Sequence, residues 1–592
     1  MALYTKIIRK TFRGEPCISP PFKLLILFGS LFFINLGGPY VIDNDEALYA
    51  EISREMYQVS DWITPKFNRE DCFLKPPMLY WTQILGYKMF GVTALGARFI
   101  NAISGIATIM ILYFGARIPL GCRPAFNTSL ILGSSFIFVY LSRIAHTDML
   151  LTMFFTLCLV TSWYGVERVL KGRNGTVLFW IGCLAAGFAM LSKGAIGVLF
   201  PALTSVIYLI SIKRPGILFQ KTWLVPGTII MLTVGFSWYL ILGFSHPDGF
   251  DFIEELFMNQ HLSRFLNAME GHSGPIYYYL IILLVGFMPW FSYLPIVFVQ
   301  SSLENIQKPA GRFLWLFCIF SIVVLIFFSI AKTKLPNYIL PALPGFALII
   351  AALFEEKEMK RLLPWHFAGW ISAGLVIIPG ILFAAAPFIF PYLPELIGDS
   401  TRKIPALAEN VPLGFTPLFV GGLFVGCGIT IVRATKKNNV YKIFKSLLIT
   451  SFIISASFFL AIIPIYDRLM NQPLVRLSKQ AATHIPPNGW IVLYQLNYRP
   501  SVIFASNRRT VFHSEKNYQE LPLLFDPSDI AVGITTAYYF DRLNSYGIST
   551  LEISRDTGFI LFRLTNNQIV IEYQADKYSN ENSQKRSGNH IH

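Results

Sequence analysis

Thirteen stretches of about 20 apolar residues, enough for a helix across a bilayer, run along this chain. They lie near 23–42, 94–116, 124–142, 149–166, 176–192, 195–212, 222–244, 276–300, 313–331, 336–354, 366–388, 412–432 and 443–466. In lipid such a segment satisfies its backbone N–H and C=O groups only as a helix. The sequence therefore predicts a polytopic α-helical membrane protein of about thirteen spans over 1–466. Composition agrees: of 592 residues 54% are hydrophobic and 14% charged, and the mean hydropathy is +0.52. These values argue against a soluble multidomain enzyme.

Charge gives the orientation. There are 49 Lys and Arg against 34 Asp and Glu, a net +15, and the excess falls in short loops rather than on one amphipathic face, so it reads as positive-inside charge and not as a nucleic-acid surface. With the N-terminus inside, one side collects Lys6, Arg9, Arg117, Arg123, Arg168, Lys213, Arg214, Lys308, Arg312, Lys360, Arg433, Lys437, Lys442 and Lys445. The start MALYTKIIRK leads into LLILFGSLFF with no A-x-A-like cleavage site, which predicts a retained signal anchor. The other side receives 43–93, 245–275, 389–411 and everything after 467. That last segment is predicted to be a small extracytoplasmic α/β domain over 467–575, with strands at WIVLYQL (490–496), SVIFAS (501–506), DIAVGIT (529–535) and FILFRLT (559–565) and a helix at AYYFDRLNS. A polar, disordered tail is expected over 576–592. The seven cysteines form no CxxC pair and read as packing residues, not as a disulfide framework or metal site.

The candidate chemistry sits on the outer side. DNDEALYAEISREM (43–56) has a capping-type acidic start, predicts a helix over 45–58 and places Asp45 and Tyr49 on one face. Its plain structural role is to cap a helix lying along the membrane. FLKPPMLYW (73–81) puts Lys75 before Pro76 and Pro77, which suit the first turn of a second helix over 76–90. A lysine at a helix N-terminus can grip a phosphate, although a snorkelling lysine would look alike. Further along, Arg143, His146 and Asp148 gather in SRIAHTDML, Lys193 lies in LSKG, and Lys332 and Lys334 in AKTKLPNYILP. All sit at span ends on the outer side, where ionisable groups are functional candidates. In NQHLSRF, His261 and Arg264 can share a helix face. P-loop, HExxH and Rossmann fingerprints are absent from the sequence, so nucleotide-driven chemistry has no support.

Taken in order, DEALYAEISREM (45–56), LKPPMLYW (74–81), the Asp148 junction, LSKG (191–194), QHLSRF (260–265) and KTKLPNYILP (332–341) resemble the membrane-embedded GT-C transferases that use polyprenyl-phosphate sugars. The similarity is to the lipid A aminoarabinose transferases and the related dolichyl-phosphate-mannose-protein mannosyltransferases. The resemblance implies a thirteen-span fold with two juxtamembrane helices, an outer α/β domain and a lipid-phosphate cavity at the outer interface. It implies Asp45 as the acid residue near the transferred sugar, Asp148 as a second acid in the cavity, Lys75 and Arg264 as phosphate ligands, and Tyr338 as a phosphate hydrogen-bond donor. It further implies an undecaprenyl-phosphate-sugar donor, inverting transfer on the periplasmic face of a bacterial inner membrane, and lipid A or another envelope glycolipid as acceptor. Protein O-glycosylation is the alternative within enzymes; a lipid-linked-sugar transporter is the alternative outside them. Two departures matter. Aminoarabinose members carry Glu where this chain has Leu74, so no structural zinc is expected unless Glu70 or Asp71 substitutes, and no cofactor is firmly implied beyond a possible divalent metal. They also carry Arg where this chain has Leu48, which points to a different donor sugar or acceptor.

Overall fold

The computed structural model describes residues 19–258, 263–267, 272–299, 306–355, 363–393, 395, 405, 412–496, 498–513, 521, 524–525 and 531–564. The N-terminal basic run and the expected tail at 576–592 lie outside these. Counting α-helices of seven residues or more, the membrane part holds α1 (Ser19–Phe33), α2 (Asp45–Val59), α3 (Met78–Phe90), α4 (Ala94–Leu120), α5 (Cys122–Ser134), α6 (Phe136–Arg143), α7 (Thr147–Leu170), α8 (Thr176–Lys193) and α9 (Ile196–Ser211). It continues with α10 (Lys221–Ser245), α11 (Gly249–Phe257), α12 (Tyr278–Gly286), α13 (Pro309–Ile330), α14 (Leu343–Glu355), α15 (Leu363–Ile389), α16 (Thr416–Lys436) and α17 (Val440–Ser457).

Among the described residues nine helices are long and apolar enough to cross a membrane, and ten if α5 and α6, bent by 65°, form one broken span. Of the other three predicted spans, α1 and α9 are shorter apolar helices, and 276–300 breaks after α12 near Pro289, which has no N–H to continue the ladder. Nine or ten of the thirteen expected spans are thus long, apolar helices among the described residues. The two juxtamembrane helices α2 and α3 form where expected. Five cysteines, Cys72, Cys158, Cys183, Cys318 and Cys427, carry free thiols.

The final span runs on without a break through Val440–His484, and its last part, α18 (Gln472–His484), belongs to the C-terminal domain. There α19 (Pro500–Ser506) and α20 (Ala537–Ser545) accompany a five-stranded sheet in the order β4-β3-β5-β7-β6. The hairpin β1 (Lys66–Phe67) and β2 (Glu70–Asp71) lies in the outer loop, and β3 (Trp490–Tyr494), β4 (Arg509–His513), β5 (Val532–Thr536), β6 (Thr550–Asp556) and β7 (Phe559–Leu564) make the sheet. Strands β4, β3 and β5 are parallel, and β7 and β6 are antiparallel. Alternating side chains serve two cores: Ile491, Leu493 and Ile534 meet Leu474, Leu477 and Ala481 of α18, while Val492, Tyr494 and Phe562 meet Tyr539, Phe540 and Leu543 of α20. SVIFAS, expected as a strand, is the helix α19. Pro500 opens it and Asn507, at φ 54°, closes it in the left-handed conformation.

This domain sits on the outer loop. The β1–β2 turn residues Asn68 and Arg69 both have positive φ, as a two-residue hairpin turn requires. The Asn68 amide exchanges hydrogen bonds with the Thr510 backbone at 3.0 and 2.9 Å, and Arg509 pairs with Glu70 at 2.9 Å.

One buried ion pair ties the inner ends of these pieces together. Glu46 in α2 and Arg98 in α4 are 4% and 3% exposed. Arg98 donates to both Glu46 oxygens at 2.7 and 2.8 Å and to the carbonyls of Leu36, Pro39 and Tyr40. Glu46 also accepts from the N–H groups of Ile42 and Ala145. Burial alone pushes the Glu46 carboxyl upward, but the Arg98 charge and these hydrogen bonds overcome it and hold it below its ordinary range. Replacing Arg98 by Met strands that carboxylate in a dry setting. The expected loss is about 3–5 kcal/mol of stability, read from unfolding in detergent; an unchanged unfolding midpoint would remove Arg98 from this role.

Candidate functional site

Asp45 is the first residue of α2 and half-exposed, with 48% of its side chain open. Its position depends on Asn44, which takes φ 70° and ψ −127°, a region that residues with a Cβ avoid. Asn44 turns the chain so that its two neighbours face opposite ways. The Asp43 carboxylate accepts from the Ser501 N–H at 3.0 Å and from Arg499 at 3.1 Å in the C-terminal domain. Asp45 faces His146.

His146 precedes α7, where Asn101 holds its carbonyl and that of Ile144, at 2.8 Å each. Its Nε2 lies 3.2 Å from Asp45 and its Nδ1 2.7 Å from Asp148, and the ring edge meets Tyr49. Burial pulls the His146 pKa down, but the hydrogen bonds and charges of Asp148 and Asp45 outweigh it and raise the imidazole to about 9. In the imidazolium form both ring nitrogens carry a proton, one towards each carboxylate. Asp148 is 1% exposed and is bonded by Lys193 and by the Asn337 amide at 2.6 Å. The ammonium of Lys193 lies 4.2 Å above the Tyr338 ring. The result is a continuous row of polar groups, Asp45, His146, Asp148, Lys193 and Tyr338, assembled from α2, α7, α8 and the turn Pro336–Ala342.

Three cavities meet along this row. A mainly apolar one of about 1020 Å³ is lined by Leu74, Lys75, Lys193, Phe257, Phe328 and Tyr338 among others. A polar one of about 380 Å³ shares Lys75, Lys193 and Tyr338 with it and adds Asp45, Tyr49, His146, His272 and Asn337. A third, of about 820 Å³, continues from Asp45, His146 and Asn337 towards Asp43, Asn44 and Tyr140. Lys75 stands just before Pro77, the cap of α3, as the KPP spacing requires.

The structure thus gathers Asp45, Tyr49, Lys75, Lys193 and Tyr338 into one place. It puts Asp148 behind the cavity wall, where it organises His146 and Lys193, rather than in the cavity as expected. Lys334, expected as a phosphate ligand, is instead spent on a helix end. Its ammonium donates to the carbonyls of Phe328, Ser329 and Ala331 at 3.2, 2.7 and 2.8 Å, which the last turn of α13 leaves without partners. Burial, with Lys332 nearby, pushes its pKa below the ordinary lysine range. Lys332 is exposed and, like Lys334, is not among the described lining residues. Arg143 similarly donates to the carbonyls of Leu31, Phe32 and Ile34 at the end of α1. His261 and the Arg264 side chain lie outside the described residues. His272 and Asn337 were not anticipated, although Asn337 stands inside the LPNYILP motif.

Among the described residues no three His, Cys, Asp or Glu side chains converge as metal ligands. Leu74 lines the apolar cavity beside Lys75. The two possible substitutes are engaged elsewhere, Glu70 with Arg509 and Asp71 with Lys66 at 3.1 Å and His246 at 3.0 Å. The donor set does not fit a metal at this point.

A raised histidine favours the fold below its unfolded pKa of about 6.5, and that contribution fades as pH climbs through about 9. Wild type should therefore lose stability between those limits, and His146→Gln should show a flatter profile; parallel slopes in a pH series of thermal unfolding would contradict the charged His146.

Residues 74–240 match the family of dolichyl-phosphate-mannose-protein mannosyltransferases. An uncharacterized protein of Aquifex aeolicus is 31% identical over 370 residues, 62% of this chain and 70% of that one. The undecaprenyl phosphate-alpha-4-amino-4-deoxy-L-arabinose arabinosyl transferase of Edwardsiella ictaluri is 30% identical over 372 residues, 62% of this chain but only 65% of its own length. In fold, the chain is similar to the crystal structure of ArnT from Cupriavidus metallidurans bound to undecaprenyl phosphate, with a TM-score of 0.70 at 21% identity over 91% of this chain and 97% of that one. On these grounds the chain is a membrane-embedded glycosyltransferase that resembles the aminoarabinose transferases.

Proposed function

We propose that this glycosyltransferase moves a sugar from an undecaprenyl-phosphate donor to lipid A or another envelope glycolipid, with inversion, at the periplasmic face of the bacterial inner membrane. In this reading the N-terminus is cytoplasmic and the 467–575 domain periplasmic, in keeping with the basic loops. The observation that carries it is the meeting of an apolar cavity with a polar one at Lys75, Lys193 and Tyr338, with Asp45 on the wall of the polar one. The relatives named for undecaprenyl phosphate aminoarabinose transfer support the donor class.

The apolar cavity takes the proximal isoprene units, and Lys75, Lys193 and Tyr338 face the phosphate. As the anomeric C–O bond breaks, negative charge grows on the departing lipid phosphate, and fixed cations at that point lower the barrier. Arg264, from the adjoining loop, serves the same phosphate. An acceptor oxygen enters from the third cavity and attacks the face of the anomeric carbon opposite the phosphate. Asp45, held by His146, takes the proton of a hydroxyl acceptor, or orients a phosphate acceptor that needs no base. Asp148 positions His146 and Lys193. Tyr49 packs against His146 and sets its ring plane. Lys332 is left at the mouth of the loop as a surface cation.

Asp45→Asn keeps the shape and removes the charge. It should lower transfer of labelled sugar from polyprenyl-phosphate donors by about 10²–10⁴-fold, with donor binding retained. Near wild-type turnover would refute the assignment of Asp45. Label appearing in protein rather than in glycolipid would instead identify an O-glycosyltransferase, and lipid movement across vesicles without transfer would identify a transporter.

A further inference from the structure

The far end of the bundle carries a second kind of site. Helix α4 has Arg98 at the polar end and Arg117 near its other terminus, and its 27 residues span about 40 Å at 1.5 Å per residue. α5 starts from that other end at Cys122. α17 starts there too, because Ser451 and Ser455 in its later turns donate to the Ser134 carbonyl at the opposite end of α5. At this end α16 and α17 are joined by a tight turn in which Asn438 has φ 46° and the Asn439 side chain caps α17 by accepting from the Lys442 N–H at 3.0 Å.

A groove of about 1230 Å³ opens between these helices. Gly422 and Gly426 keep its floor low, Leu423, Ile449 and Ile453 make its walls apolar, and Thr430 and Ser446 add hydroxyls. Its mouth is ringed by Arg433, Lys437, Lys442 and Lys445, with no carboxylate among the lining residues. The four cations are exposed, and among the described residues none has an ion-pair partner. Two described acids at this end are committed elsewhere, Glu355 to Arg123 at 3.2 Å and Glu167 to Arg312 at 2.6 Å. Ordinary snorkelling explains single lysines at a span end. It does not explain four cations from two helices converging on a glycine-floored apolar groove.

We propose that this groove binds an anionic glycerophospholipid, its phosphate among Arg433, Lys437, Lys442 and Lys445 and an acyl chain along Gly422 and Gly426. The apolar walls match a chain and the cationic ring matches a phosphate. The site shares no residue with the three cavities around Asp45, so it stands independently of the proposed reaction.

The test is native mass spectrometry of the purified full chain after exchange with phosphatidylglycerol, cardiolipin or phosphatidylcholine, with the unfolding midpoint measured in parallel. The anionic lipids should be retained at least tenfold better than phosphatidylcholine, one site per chain, and should raise the midpoint. Each charge is worth about fivefold near a membrane surface, so Lys437→Gln with Lys442→Gln and Lys445→Gln should lose about a hundredfold. The matching three Lys→Arg changes should keep binding, which separates lost charge from a damaged fold. Equal retention of phosphatidylcholine, undiminished binding by the Gln variant, or a lipid-free dimer covering the groove would each overturn the proposal.

Discussion

The Glu46–Arg98 pair is the constraint on which the polar end of the molecule depends. Two charges taken out of water must satisfy each other completely, and here they do so while holding backbone from three places: the chain after α1, the entry to α2 and the junction before α7. Asp45 directly precedes Glu46, and His146 directly follows Ala145, whose N–H donates to Glu46. The separation between the Asp45 carboxylate and its imidazole partner is therefore held by Glu46, the neighbour of Asp45, through the N–H of Ala145, the neighbour of His146. Such a pair adds little net stability compared with an apolar replacement, but breaking one side is costly. Its value lies in fixing geometry.

Cations at this end divide into two groups that look alike in the sequence. Arg98, Arg143 and Lys334 bind backbone carbonyls where helices or the segments after them run out of partners. Lys75 and Lys193 face the cavities. Both groups lie at span ends, next to prolines or polar motifs, and hydropathy puts them all on the outer side. Only the chain path tells which carbonyls each can reach. That is why Lys334 read as a ligand, and why Glu46 and Arg98, scattered among ordinary charged positions, carried no signal.

What was legible came from strong local rules. Long apolar runs marked the bundle, KPP fixed the start of α3, and the acidic start of 43–56 fixed α2. These gave Asp45 and Lys75 before any three-dimensional information. The failures are equally physical. A period-free apolar run such as SVIFAS suits a strand or a helix, and the outcome turned on Pro500 and the left-handed Asn507. Broken spans such as α5–α6 retain the hydropathy of straight ones, so hydropathy alone does not show the 65° bend. The burial of Asp148 behind His146 and Lys193 could not be read from its position in the sequence.

The tether at Asp43 has a consequence for the order of synthesis. Its partners, Arg499 and Ser501, lie 456 and 458 residues further along the chain, and domains emerge and fold in sequence from the N-terminus. The entrance to α2 is among the first parts made, yet its strained Asn44 turn gains this outside support only when the last domain has folded. Until then the turn before Asp45 rests on what the N-terminal part itself supplies, the buried Glu46–Arg98 pair.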